Sequence, residues 1–378
     1  YLADGSVKQT IIGISYDSAG TPNQHDTVQW IDYSYDPRGM LVSINSETDS
    51  STVVDSNLSG GVSGGDHNDH FGEYLQYFDP NTSTGYLNGR VKRMRSTSSG
   101  DGTHVENHFS YEINALGWLV KAQCIDDTTL SREFFYNDFG QRIVEWRGPD
   151  SLTYTYDTAA GSSRLLHVEG TGVHPDSLMQ YDLVGNLVKD PFNDINQMVY
   201  DYRNMLVYAA IGRTSRHATH RDQLLLWYDE SGMRIHKRYR YQYYSFDCDP
   251  GGIESIPGDD EDGVQTDELG QGCWKWAQDE TFYLWDGDIL VATFSEEDSV
   301  KEMFVNTPGG NAVAVYDEND DDQLYYYLRD HLGSNRVMMS ASGPAVASYY
   351  NYYPFGGLRV SWANYYSPYQ FTGKERDD

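Results

Sequence analysis

Apolar residues in this chain come in short runs that alternate with polar ones, and Gly, Pro, Asn or Asp cuts each run off after a few positions. A period of two marks a strand with one buried face. No segment keeps the three-and-four spacing of an amphipathic helix for long. The pattern predicts an all-β chain of repeated antiparallel hairpins. Phe282 to Val305 reads as strands with Asp286-Gly287 as a turn. Val313-Ala314-Val315-Tyr316 is expected to pair with Leu324-Tyr325-Tyr326-Tyr327 through Asp317 to Gln323. Two segments break the pattern. Ser46 to His70, rich in Ser, Gly and Asp, reads as a long exposed loop, and Asp247 to Gly272 as an acidic insertion. No run of about 18 apolar residues occurs, so no membrane-spanning helix is expected.

A phrase recurs along the chain: Tyr, Asp, two variable residues, Gly, then an apolar or basic strand. It stands at Tyr35-Asp36-Pro37-Arg38-Gly39, Tyr181-Asp182-Leu183-Val184-Gly185 and Tyr228-Asp229-Glu230-Ser231-Gly232, with a variant at Tyr136-Asn137-Asp138-Phe139-Gly140. Looser copies begin at Tyr16, Tyr111, Tyr156 and Tyr200. From Tyr111 to Tyr228 successive copies lie 19 to 28 residues apart, the size of one hairpin unit. The chemistry of the phrase is that of a turn. Asp36, Asp182 and Asp229 accept backbone N–H groups, and Gly39, Gly140, Gly185 and Gly232 supply the left-handed residue that ends a type I turn with a bulge. One hairpin is marginal in water, so stability must come from side-by-side pairing into a long sheet. The period suits a propeller or a β-sandwich as well.

Composition sharpens this picture in three places. The 32 Tyr and 36 Gly agree with strands and turns. A net charge of −30 argues against nucleic acid as a partner, because phosphates would be repelled. Of the three cysteines, Cys248 and Cys273 flank the acidic insertion, and a disulfide between them would contribute about 3 kcal/mol. The bridge is expected, with Cys124 free and two reduced thiols as the alternative. The chain begins with Tyr and shows no signal peptide, and reads as a processed or truncated piece of something longer.

The Tyr-Asp phrase resembles the repeats of the Rhs/YD-repeat family, which spans polymorphic toxins, the C component of toxin complexes, wall-associated proteins and teneurins. The C-terminal part is more specific. Tyr327-Leu328-Arg329-Asp330-His331-Leu332-Gly333-Ser334-Asn335-Arg336-Val337 resembles the opening of the family's repeat-associated core segment. Tyr350-Asn351-Tyr352-Tyr353-Pro354-Phe355-Gly356 and Phe371-Thr372-Gly373-Lys374-Glu375-Arg376-Asp377 follow in order. The resemblance implies a repeat region at 1–324, interrupted at 46–70 and 247–272, and a core segment at 325–378 that stops short of the family's self-cleavage region. It further implies a sheet spiralling into a hollow shell, secreted or at the cell surface. Such a shell would enclose or present a C-terminal, toxin-like cargo and would be completed by the rest of a longer chain or an assembly partner. The alternative is an extracellular or cell-surface adhesion scaffold.

Candidate chemistry is thin, and neither an enzyme nor a cofactor is expected. Asp36-Pro37-Arg38-Gly39 looks superficially like an Asp-Pro-x-Gly cleavage motif, but Pro37 simply fits its turn. His67-Asn68-Asp69-His70 lacks a defined ligand geometry and reads as a solvated loop. His217 and His220 read as surface residues. Asp317 to Asp321 begins like a calcium loop but has Asp322 where Gly belongs, and reads as an acidic turn. The tyrosine clusters at 325–327, 349–350 and 365–366 are expected to form ladders across strands rather than a carbohydrate surface.

Overall fold

The computed structural model describes residues 6–7, 9–12, 15–16, 22–23, 29–45, 71–79, 84–85, 89–100, 103–157, 162–170, 178–214, 219–245, 273–296, 299–307, 312–317, 323–341, 346–365 and 367–375. Among them the chain is antiparallel β, with three short 3-10 turns and no α-helix. Both irregular segments, 46–70 and 247–272, lie outside the described residues, as do His67, His70, His217, Cys248, residues 318–322 and Arg376. The side chains of Cys273 and His220 do too. Cys124 is free and buried.

Packing divides the chain into two units, Tyr1–Thr153 with Glu302–Asp378, and Tyr154–Lys301. The motif boundary at 324/325 falls within the strand Gln323–Arg329. In the first unit one sheet takes the order Gln9–Ile12, Gln29–Tyr35, Leu41–Ile44, Phe71–Gln76, Arg93–Gly100, Thr103–Ile113, Leu119–Cys124, Arg132–Tyr136, Arg142–Arg147, Asp150–Tyr156. The C-terminal strands follow as Ala312–Asp317, Gln323–Arg329, Asn335–Ser340, Val346–Tyr352 and Leu358–Ala363. The period-two pattern is visible in Asp150–Tyr156, where Leu152 and Tyr154 turn inward while Ser151, Thr153 and Thr155 face water. One core joins the two sets of strands: Ile31, Ile44 and Phe71 pack with Leu328, Val337, Met339 and Tyr349. On the other face of the C-terminal strands Tyr325, Tyr327, Met338, Tyr350 and Tyr352 form a second core, in which Tyr325 stacks on Tyr365 at 4.2 Å. In the second unit Ile195–Tyr200, Leu206–Thr214, Thr219–Tyr228, Arg234–Ser245, Cys273–Asp286 and Ile289–Phe294 pair in sequence around Met198, Ala209, Leu224 and Leu226.

One closure serves eight described hairpins. The last strand residue before the turn pairs with the residue six further on, after a one-residue register shift (Ile113 with Leu119 and Tyr136 with Arg142, for example). The fourth position beyond that residue is left-handed, with φ of 78° at Gly39, 78° at Gly140, 104° at Gly185 and 86° at Gly232. Asn204, at 62°, fills the place in the copy that begins at Tyr200. In seven of the eight an Asp or Asn follows the strand and satisfies the turn. Asp36 Oδ1 accepts from the N–H groups of Arg38 and Met40, and Asp182 Oδ1 from those of Val184, Gly185 and Asn186. Those donors hold both carboxyls below the usual range although their slight burial acts the other way. Asp229 Oδ1 accepts from Met233 in the same manner. Two glycines separate conformational strain from crowding. A Cβ on Gly39 would meet nothing within 4 Å, whereas one on Gly356, at φ 89°, would lie 2.4 Å from the Phe371 ring. Gly39→Ala is expected to cost about 1–2 kcal/mol for its left-handed backbone. Gly356→Ala should cost a further 1–3 kcal/mol or so for overpacking, and urea midpoints of the two variants check the order.

A second device fastens successive hairpins. At five of the turns the carbonyl two residues beyond the turn glycine accepts a hydrogen bond from a ring on the following strand or directly after it. Tyr77 donates to Leu41, Tyr136 to Leu119, Tyr200 to Leu187, and Tyr352 to Asn335, at 2.7 to 2.9 Å. Trp285 Nε1 does the same for Arg234 at 2.7 Å. The bulge shifts the register at the strand end, and the ring hydroxyl fills the acceptor beside it. Burial pushes the hydroxyls of Tyr77, Tyr136 and Tyr200 up from their ordinary ionisation range. Tyr136→Phe, which deletes one oxygen and leaves the ring, should therefore cost about 1 kcal/mol in chemical denaturation.

Candidate functional site: a buried polar seam

The three C-terminal motifs meet in space. Asp330-His331-Leu332-Gly333 is itself a copy of the repeated turn. Asp330 Oδ1 accepts from the N–H groups of Leu332 and Ser334 at 3.0 and 2.9 Å, and Gly333 has φ 81°. The segment around Phe371 docks on the strand that follows. Asn335 N–H donates to the Gln370 carbonyl at 2.9 Å, its side-chain amide donates to the Tyr369 carbonyl, and Thr372 N–H donates to Ser334 Oγ at 3.1 Å. Gly373 is left-handed at φ 66°, Lys374 accepts from the Gln370 N–H, and Glu375 bridges to Tyr369. The Pro354-Phe355-Gly356 turn places Phe355 edge-on against Phe134 at 5.0 Å, with the Arg142 guanidinium over both rings. Leu332 remains exposed at the tip of its turn.

Beneath these turns lies a seam of charged and amide side chains, between Phe71–Gln76, Arg93–Gly100 and Thr103–Ile113 on one side and the C-terminal strands on the other. Glu73, 1% exposed, accepts twice from His331: from the backbone N–H at 2.9 Å on Oε2 and from ring Nδ1 at 3.0 Å on Oε1. Arg336 lies 3.6 Å from Asp330, donates to Ser96 Oγ at 3.0 Å and to Asn351 Oδ1 at 2.9 Å, and sits over the rings of Phe71 and Tyr352. Asn107 donates to the same Asn351 oxygen at 2.7 Å, and Arg359 donates to Asn107 Oδ1. Asn107 and Asn351 stand 244 residues apart in the chain. The seam thus ties the two ends of the first unit by polar contacts, alongside the apolar core.

Burial sets the electrostatics. Desolvation raises the Asp330 carboxyl, Arg336 pulls it back, and the Glu73 charge adds to the rise, so the group ends above the usual carboxylate range. For His331 burial disfavours the charged ring, but the hydrogen bond to Glu73 and the charges of Glu73 and Asp330 outweigh it, and His331 ends above its ordinary value. Asp330 and His331 belong to the motif recognised in the sequence. Glu73, Ser96, Asn107 and Arg359 do not, and no local pattern announces them. The described residues include no group of three or more His, Cys, Asp or Glu placed to hold a metal ion. No described helix is long and apolar enough to cross a membrane.

No family model matches the chain, and no curated protein matches it. Solved structures similar to it come from toxin complexes. A TcdB2-TccC3-Cdc42 crystal structure shares 15% identity at a TM-score of 0.48, over 98% of this chain and 18% of that one. TcdB2-TccC3 without its hypervariable C-terminal region shares 16% at 0.48, over 96% and 18%. A Photorhabdus luminescens Tc holotoxin pore shares 14% at 0.47, over 98% and 18%. The chain spans under a fifth of each of those chains, and no residue's role passes to it from them.

Proposed function

We propose that this chain is a wall segment of a secreted Rhs/YD-repeat shell, which encloses or presents a C-terminal, toxin-like cargo and acts by enclosure rather than by catalysis. The observation that carries this reading is the repeated closure together with its ring fastener. A wall must hold many hairpins edge to edge without relying on one central core. Here seven of the eight bulged turns are satisfied by their own Asp or Asn, and at five of them a Tyr or Trp further along the chain reaches back to the turn. The charge of −30 suits a wall that must stay soluble and repel polyanions. Among the described residues the strands Gln9–Ile12 and Leu358–Ala363 each have a single neighbour. Open edges invite pairing, so the rest of a longer chain or an assembly partner covers them.

Limited proteolysis of the complete gene product tests the proposal. The portion downstream of Asp378 should survive protease that degrades the same portion once it is separated. Equal cleavage of the two would end the encapsulation reading and leave an extracellular scaffold.

A further inference from the structure

We infer that the Asp330–Gly333 turn is a proton-dependent latch, which clasps the strand Phe71–Gln76 to the C-terminal strands at acid and neutral pH and loosens at alkaline pH. The inference stands on the geometry of the seam and is independent of what the shell contains.

Every described Asp of the repeated turn, Asp330 included, lies at a hairpin end with its carboxylate serving its own loop. At 330–333 the Asp side chain is also buried, and His331, the residue after it, reaches a glutamate 258 residues away. Glu73 is sealed from water, whereas the His331 side chain is 20% exposed, so the ring can exchange its proton while its partner stays buried. The charged groups that face the ring are Glu73 on Phe71–Gln76, Arg336 on Asn335–Ser340 and Asp330 in its own turn. Tyr111, on Thr103–Ile113, feels the same three groups, and burial keeps its hydroxyl un-ionised well beyond the usual range. Arg336 is engaged with Asp330, so protonated His331 is the cation that lies directly on Glu73.

The sign follows from linkage. A group raised by folding contributes stability that is fully present below its unfolded value and is lost as pH rises through its folded value. For His331 the loss begins above 6.5, its ordinary value. Asp330 is raised as well and acts in the same direction at lower pH. Above the folded value of His331, Glu73 keeps the backbone N–H but becomes a buried carboxylate with no cation on it, which is costly.

Hydrogen exchange of the whole chain, corrected for the chemical rate, tests the latch. Between pH 6 and pH 9, opening of 71–76 and 330–334 should rise severalfold relative to the strand Leu119–Cys124. His331→Gln, which keeps the backbone donor and loses the titrating charge, should show the same opening at both values. A wild-type chain in which 71–76 and 119–124 change in parallel overturns the inference, whether or not the variant folds. So does a variant that keeps the wild-type slope.

Discussion

Glu73→Ala is expected to destabilise the first unit by about 3–5 kcal/mol, the range for removing one partner of a buried ion pair. The wild-type carboxylate, itself sealed from water, accepts two hydrogen bonds and balances a protonated ring. Alanine leaves the His331 N–H and ring without acceptors, removes a negative charge that Arg336 and His331 both feel, and opens a void in a close-packed seam. Glu73→Gln keeps the shape and one acceptor and should cost clearly less. A double-mutant cycle with His331→Ala measures the pairwise part, since residues in one network couple by about 0.5–3 kcal/mol. Urea denaturation at pH 6 and pH 9 checks both points. The cost of Glu73→Ala should shrink at the higher pH, as His331 loses its proton. A loss below about 1 kcal/mol at pH 6 would mean that the pair contributes little to the joint.

Much of this architecture can be read from one sequence because its turns are written in chemistry. Asp or Asn followed three residues later by Gly fixes a hairpin end, and the alternation on either side assigns the faces. That grammar is local, and where the copies keep Tyr they are easy to see. The turn at Asp330 has the same spacing but carries Arg329 in place of Tyr, so it reads as family motif rather than as another repeat. The ring fastener also left a trace: a Leu stands two residues beyond the left-handed Gly at Leu41, Leu119 and Leu187. What the Leu contributes to the fastener is its backbone carbonyl, which any residue has, and Arg234 and Asn335 do as well. The seam left none. Glu73 sits in Phe71-Gly72-Glu73-Tyr74-Leu75, where alternation alone would make it one more inward position and hence a misfit. Its partner lies 258 residues away, and only the packed structure supplies it.

Phe71→Ala, on the same strand and the same face as Glu73, should be comparably damaging, at about 3–5 kcal/mol. Phe71 is 1% exposed and fills the core that joins Ile31 and Ile44 to Leu328, Val337, Met339 and Tyr349. Its ring also carries the Arg336 guanidinium at 5.7 Å, so truncation removes apolar contact from one side and a cation–π partner from the other. Phe71→Leu retains most of the volume and should cost less than half as much, unless Arg336 depends on the ring. A direct readout of that dependence is the pair Phe71→Leu and Arg336→Met, measured singly and together. If the ring positions the guanidinium on Ser96 and Asn351, the double variant should cost clearly less than the sum, because Phe71→Leu has already disturbed what Arg336→Met removes. Strict additivity would assign Phe71 to the apolar core alone. The seam would then stand on its hydrogen bonds, with Phe71 and Glu73 sharing a strand but working independently.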